Sequence, residues 1–172
     1  PAVAAGASII TDLAALRAPG ALEAAAASDA AVCLMHMQGE PRTMQADPSY
    51  GDVVAEVRDF LAARVAAAQA AGIAAERIVV DPGFGFGKRL AHNLALLRQL
   101  GQFADLGACV LAGLSRKSML GEITGRKVSQ RDTASVAAAL LAAQNGARIL
   151  RVHDVAATRD ALAVWAAVEN QE

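Results

Sequence analysis

The sequence predicts an α/β protein built on a parallel sheet, and three observations lead there. Short β-branched or otherwise apolar runs alternate with longer alanine-rich helical stretches, five times in 172 residues. The strand-like runs are apolar throughout rather than alternating, as strands covered on both faces are. Polar and glycine residues gather after each run, while the links leading into the runs are plainer. In parallel α/β folds the chemistry lies at the carboxyl ends of the strands, so this asymmetry locates the site.

The first run is Ser8-Ile9-Ile10, ending at Thr11-Asp12. A helix is expected from about Pro19, a residue suited to a first turn, to Ala27. Ala31 to Met35 is the second run, followed by a polar loop to Tyr50 and a long helix to Ala71, stopped by Gly72. The third is Arg77 to Asp81, then a glycine-rich loop and a helix from about Ala91 to Leu100. Cys109 to Gly113 is the fourth, followed by a long loop and a helix from Asp132 to Asn145. The fifth is Arg148 to Val152, with Asp154 able to cap a last helix, Val155 to Val168.

A closed (β/α)8 TIM barrel takes eight such units and typically about 250 residues. Five units fit either an open doubly wound sheet or the last five-eighths of a barrel. The chain begins with Pro1, without an initiator Met, at what reads as the end of a helix over Ala2 to Ala5. The expectation is therefore a barrel lacking its first three units.

Composition narrows the function. Sixteen Lys and Arg against 17 Asp and Glu leave a net charge of −1, which gives no electrostatic footprint for nucleic acid or an anionic membrane. Hydrophobic residues at 55% exclude a disordered chain, and no apolar stretch approaches the roughly 18 residues that span a bilayer. Aromatics at 3% argue against a base-stacking platform. Cys33 and Cys109 sit inside apolar runs, as reduced buried thiols do, which implies a cytoplasmic protein. His36, His92 and His153 lack the i,i+4 spacing of a helical zinc pair.

Three strings carry chemistry. Asp81-Pro82-Gly83-Phe84-Gly85-Phe86-Gly87-Lys88 matches neither a Walker A loop nor G-x-G-x-x-G. It offers a carboxylate at a strand end, able to accept two parallel N–H bonds from an amidine-like edge such as that of a 2-aminopyrimidinone. The plainer reading is that Asp81 caps a helix or anchors a turn. Ser115-Arg116-Lys117-Ser118, two residues past Gly113, is either an anion or carbonyl-oxygen site or a solvated basic turn. Arg151-Val152-His153 puts a guanidinium and an imidazole on one face of an extended segment, beside a helix N-terminus, an arrangement suited to a phosphate or diphosphate. Its plainer reading is a structural Arg–Asp pair with a surface histidine.

Pro19-Gly20-Ala21-Leu22, Cys33 to Gly39, Asp81 to Lys88, Gly113 to Ser118 and Arg151 to Asp154 stand in an order that resembles dihydropteroate synthase, of the pterin-binding enzyme family. The resemblance runs over nearly the whole chain. It implies a (β/α)8 barrel and a transferase of folate biosynthesis, which joins 6-hydroxymethyl-7,8-dihydropterin diphosphate to 4-aminobenzoate and is a sulfonamide target. By position, Asp81 resembles the carboxylate that holds the pterin, and Met35 would line the pterin slot. Lys117 resembles the lysine near both substrates, and Gly113 belongs to the same binding string. Phe86 would sit on the rim of the aminobenzoate pocket, and Arg151 and His153 would bind the diphosphate. Thr11 stands where the family has a pterin-contacting asparagine; a hydroxyl offers less hydrogen bonding on a shorter arm. The resemblance also implies Mg²⁺, held by a residue outside these 172, and a homodimer through the later helices near Trp165. Two alternatives remain open at this point: a non-catalytic pterin-binding module, which Thr11 favours, and a methyl-tetrahydrofolate-type methyltransferase, which would not need Arg151 with His153.

Overall fold

The computed structural model describes residues 2–169, so Pro1 lies outside the described residues. A single 3-10 turn at Val3–Ala5, closed by Gly6, leads into five parallel strands: β1 (Ile9–Asp12), β2 (Ala31–Met35), β3 (Ile78–Asp81), β4 (Cys109–Ala112) and β5 (Ile149–Leu150). The helices between and after them are α1 (Ala21–Ala26), α2 (Val53–Ala70), α3 (Leu90–Arg98), α4 (Ser118–Thr124), α5 (Asp132–Gln144) and α6 (Val155–Glu169).

The strand order is β1-β2-β3-β4-β5, every pair parallel. A doubly wound sheet reverses its order at a switch point. This one never does, which removes the open-sheet alternative; the strands curl into a half-barrel.

The period of two then divides the side chains. Ile10, Val32, Leu34, Ile78, Val80, Val110 and Ala112 face the helices. Cys33, Val79 and Leu111, with Cys109 and Ile149, form a smaller cluster on the other, concave face. Thr11 pairs with Cys33, and Met35 with Asp81, so those residues extend the concave face toward the strand ends.

The main core is the helix-facing layer. The longest helix, α2, starts because the Asp52 carboxylate accepts the N–H groups of Val54 and Ala55 at 2.9 and 3.1 Å, while Glu56 reaches back to the N–H groups of Gly51 and Asp52. Its Val57, Leu61, Val65 and Ala68 form one stripe buried against the sheet.

Boundaries differ from expectation in five places. α1 begins at Ala21 rather than Pro19, with Gly20 as the capping residue. Arg77 belongs to a 3-10 turn, not to β3; its guanidinium instead takes the carbonyls of Ala25, Ser28 and Ala30. The stretch after α3 tightens into a 3-10 segment, Leu100–Leu106. The long loop after β4 contains α4, a two-turn helix that periodicity could not show at that length. β5 is only two residues long, although the Arg151 N–H still donates to the Ala112 carbonyl at 3.0 Å and keeps the chain in line.

The buried stripe of α2 fixes the helix on the sheet, so Leu61→Ala should lower stability by about 2–5 kcal/mol. Denaturant titration would show a lower midpoint at unchanged slope; a loss below about 1 kcal/mol would contradict this packing.

Candidate functional site

Gly113, Ser115, Lys117, Arg151, Val152 and His153 line a hollow of about 280 Å³ at the carboxyl ends of β4 and β5. Asp81 adjoins it from the end of β3. The Asp81 side chain is 2% exposed, and its two oxygens have separate tasks. Oδ1 accepts the Gly83 N–H at 2.8 Å, closing the turn, while Oδ2 faces the Arg151 guanidinium at 3.9 Å. The turn-anchor and ligand readings of Asp81 are therefore compatible, because each uses a different oxygen. Burial raises the pKa of this carboxyl, and the Gly83 N–H, Arg151, Lys117 and Lys88 pull it back toward the charged form.

Arg151 lies across the β4 terminus. A Cβ on Gly113 would come within 3.0 Å of its Nη2 and 3.1 Å of its Nε, so glycine at 113 gives the guanidinium its seat. Gly113 thus gives Arg151 space and also lines the hollow. The Ser115 hydroxyl meets His153 Nδ1 at 2.8 Å and also accepts the His153 N–H at 3.3 Å. Asp154 caps α6 by accepting the Ala157 N–H, and this starts the helix directly behind His153.

Lys117 enters from the loop after β4, where its Nζ donates to the Phe84 carbonyl at 2.7 Å and sits 4.1 Å from the centroid of the Phe86 ring. Burial lowers its pKa to about 8; Asp81 opposes that shift and Arg151 adds to it. The loop is held from α5. Arg131 donates to the carbonyls of Arg116 and Lys117, Ser135 accepts the Arg116 N–H, and Asp132 pairs with the Arg116 side chain at 2.9 Å. Those clamps stabilise Arg116 at a left-handed φ of 59°.

Of the residues singled out from sequence, Asp81, Phe86, Gly113, Lys117, Arg151 and His153 come together. Met35 stands beside Asp81 in register but is wholly buried, so it floors the site rather than lining it. Thr11 is not brought in. It lies two strands away on the exposed β1 edge, lining a separate hollow of about 490 Å³ with Ile10, Asp12 and the first turn of α1.

Residues not singled out include Lys88, His36 and Asn93, all buried beneath the glycine-rich loop. A lysine directly after five small or aromatic loop residues was the available signal for the first. Two glycines in this loop allow no side chain: Gly83, at a φ of 72°, where a Cβ would fall on the His36 carbonyl oxygen, and Gly87, at 61°, where it would meet the Gln38 carbonyl oxygen.

Among the described residues no three His, Cys, Asp or Glu side chains converge as metal ligands. The hollow is walled by the cations of Lys117 and Arg151, a donor set that suits an anion and not Mg²⁺. Among the described residues no helix is long and apolar enough to cross a membrane.

A parallel half-barrel with a buried carboxylate beside a cationic hollow is a geometry that comparison can place. The family described as pterin binding enzyme matches residues 1–153. The chain belongs to that family. A dihydropteroate synthase of Haemophilus influenzae is 53% identical over 165 residues, covering 96% of this chain and 60% of that protein. One from Neisseria meningitidis is 54% identical over 168 residues, covering 95% and 59%. Among solved structures, a Stenotrophomonas maltophilia dihydropteroate synthase with active site-bound imidazole matches at a TM-score of 0.96 and 60% identity, covering 99% of this chain and 65% of that one. The Xanthomonas albilineans enzyme in complex with 7,8-dihydropteroate matches at 0.93 and 56% identity, covering 99% and 64%. The chain thus spans roughly three-fifths of the length of the curated relatives it matches.

The Lys117 ammonium is mostly charged at pH 7, half charged near pH 8 and mostly neutral at pH 9. Sulfate stays a dianion across this range, so calorimetric affinity for sulfate should fall as pH rises from 7 to 9. Lys117→Met should flatten that dependence; an equally steep fall in the variant would remove Lys117 from the anion site.

Proposed function

We propose that this chain forms the anion-releasing side of a dihydropteroate synthase, which condenses 6-hydroxymethyl-7,8-dihydropterin diphosphate with 4-aminobenzoate to give 7,8-dihydropteroate and diphosphate. The observation that carries the reading is the free oxygen of a buried carboxylate 3.9 Å from a guanidinium at neighbouring strand ends. The relatives support it: structures of the Xanthomonas albilineans enzyme are described with 7,8-dihydropteroate and with 4-aminobenzoic acid. The same reading takes the five units as part of a (β/α)8 barrel, whose sheet continues past its edges in the sequential parallel order seen here.

In this mechanism Asp81 accepts the N–H groups of the amino-pyrimidinone edge, with its charge favoured by Arg151 and Lys117. The methylene carbon–oxygen bond to diphosphate breaks as the aromatic amine nitrogen forms the new carbon–nitrogen bond, and the amine then gives up a proton to water. Negative charge grows on the leaving diphosphate, where Arg151, His153 and Lys117 stabilise it as it develops. Positive charge grows on the pterin methylene, where the Asp81 carboxylate offsets it. A weak neutral nucleophile suffices against such a centre, so alignment and leaving-group stabilisation supply most of the acceleration. The Phe86 face beside Lys117 gives an aromatic substrate a wall, and an arylamine sulfonamide the same one; a Yersinia pestis relative is described in complex with a sulfonamide drug. The cations of this hollow would take the diphosphate itself, and any Mg²⁺ would be held by a residue outside these 172. The reading also includes a cytoplasmic location, in keeping with two free thiols, and a homodimer, in keeping with exposed Val155, Val164 and Val168 along α6 near Trp165.

Arg151→Ala in the full-length protein should weaken the diphosphate-bearing pterin about 10- to 100-fold and the free hydroxymethyl-dihydropterin less than twofold, by calorimetry. Equal losses would remove the anion role. Asp81→Asn keeps an acceptor for the Gly83 N–H, so its fold should persist by circular dichroism while pterin affinity drops about 100-fold. A full-length protein that binds dihydropterin diphosphate but releases no diphosphate with 4-aminobenzoate would favour the non-catalytic module.

A further inference from the structure

Lys88 is 3% exposed, an unusual place for an ammonium. It is surrounded by acceptors. The Gly83 carbonyl, the Phe86 carbonyl and His36 Nδ1 each lie 3.0 Å from Nζ, and the His36 carbonyl lies at 3.4 Å. Three donated protons match the three near acceptors. Burial and the facing Lys88 push the His36 pKa down to about 3, so its ring is neutral with Nδ1 free to accept. Burial also lowers the Lys88 pKa, to about 7, with Asp81 opposing and Lys117 adding to the shift.

These contacts tie together two strand-end loops, the one after β2 through His36 and the one after β3 through Gly83 and Phe86. The two β3-loop anchors bracket Phe84 and Gly85. Both groups that hold Lys117, the Phe84 carbonyl and the Phe86 ring, therefore belong to the pinned span. Neighbouring bonds finish the clamp: Asn93 Oδ1 accepts the Gly85 N–H at 2.8 Å, and the Tyr50 hydroxyl donates to the Gly87 carbonyl at 2.7 Å.

We propose that Lys88 is a positioning residue, which gathers the Gly83, Phe86 and His36 acceptors to fix the span that holds Lys117 at the hollow and thereby sets affinity for the aromatic amine. The amine part rests on the synthase reading; the placement of Lys117 does not. A competing role is charge support for Asp81. Lys88 is the weakest of the groups favouring the ionised Asp81, behind the Gly83 N–H, Arg151 and Lys117. The close contacts of its Nζ, at 3.0 Å, are instead to Gly83, Phe86 and His36.

The test is Lys88→Met in the full-length protein, with two readouts. Trace acetylation at pH 6.5, where Lys88 is still mostly the ammonium, followed by peptide mass spectrometry, reports the reactivity of Lys117, which faces Asp81 and Arg151 as well as the loop. Released from its carbonyl anchor into solvent, Lys117 should regain an ordinary lysine pKa and label at least about threefold more slowly than in the unmodified protein. Steady-state kinetics should show the KM for 4-aminobenzoate rising about tenfold, and the KM for the pterin diphosphate by less than threefold, about the loss of one charged hydrogen bond. Unchanged Lys117 labelling in a folded variant overturns the proposal, and so does a larger loss on the pterin side, which would assign Lys88 to Asp81. If Lys88→Met fails to fold, His36→Phe removes the ring acceptor while keeping an aromatic edge against Phe60, and it should slow labelling in the same direction; no change there overturns the proposal. Slowed Lys117 labelling in a protein with no condensation activity would sustain the clamp and sink the synthase reading.

Discussion

The site depends on a carboxylate kept charged inside a protein. Asp81 ends β3 almost wholly out of water, and such a group left alone would take up a proton. What keeps the anion accessible is local: a backbone N–H two residues on, a guanidinium from the β5 end and two lysines. Gly83 and Lys88 come from the loop after β3, Lys117 from the loop after β4 and Arg151 from the end of β5. The carboxylate therefore forces three strand-end loops to converge, and the hollow is the space they leave between them.

That convergence follows from the sheet. Sequential parallel strands put every carboxyl end at one rim, and the in-register pairs Met35–Asp81 and Leu111–Ile149 bring the inward side chains of successive strands to neighbouring positions. The concave face then changes character along the strands, from Cys33, Val79 and Leu111 below to Asp81, Arg151 and Lys117 above. The apolar layer contributes as well: burial beside Asp81 pushes the Cys33 thiol up to about 12, so it stays a neutral packing group. One end of the sheet is thus fit for holding structure and the other for holding charge.

Much of this was legible in the residues. The five apolar runs became five strands because parallel strands under helices need no alternation. Asp81, Lys117, Arg151 and His153 stand out because charged residues directly after such runs can only sit at the rim. Other features were beyond reach for identifiable reasons. α4 is seven residues long and has too little periodicity to declare itself. The choice between an open sheet and a curled one depends on strand order, which no local pattern encodes. Thr11 sits at a strand end like the others, but two strands of separation place it at another hollow. The buried role of Lys88 depends on the ring nitrogen and carbonyl of His36, 52 residues away in the chain, and on a glycine whose missing side chain lets the two loops touch.

The central claim is that Asp81 and the Arg151–His153 pair hold two parts of one ligand. A crystal structure of the full-length protein with dihydropterin diphosphate tests it most directly. The account requires the amino-pyrimidinone edge within hydrogen-bond distance of Asp81 Oδ2 and the diphosphate oxygens on Arg151 and His153. A pterin ring bound with its amino edge elsewhere, or a diphosphate with no contact to Arg151, would contradict it.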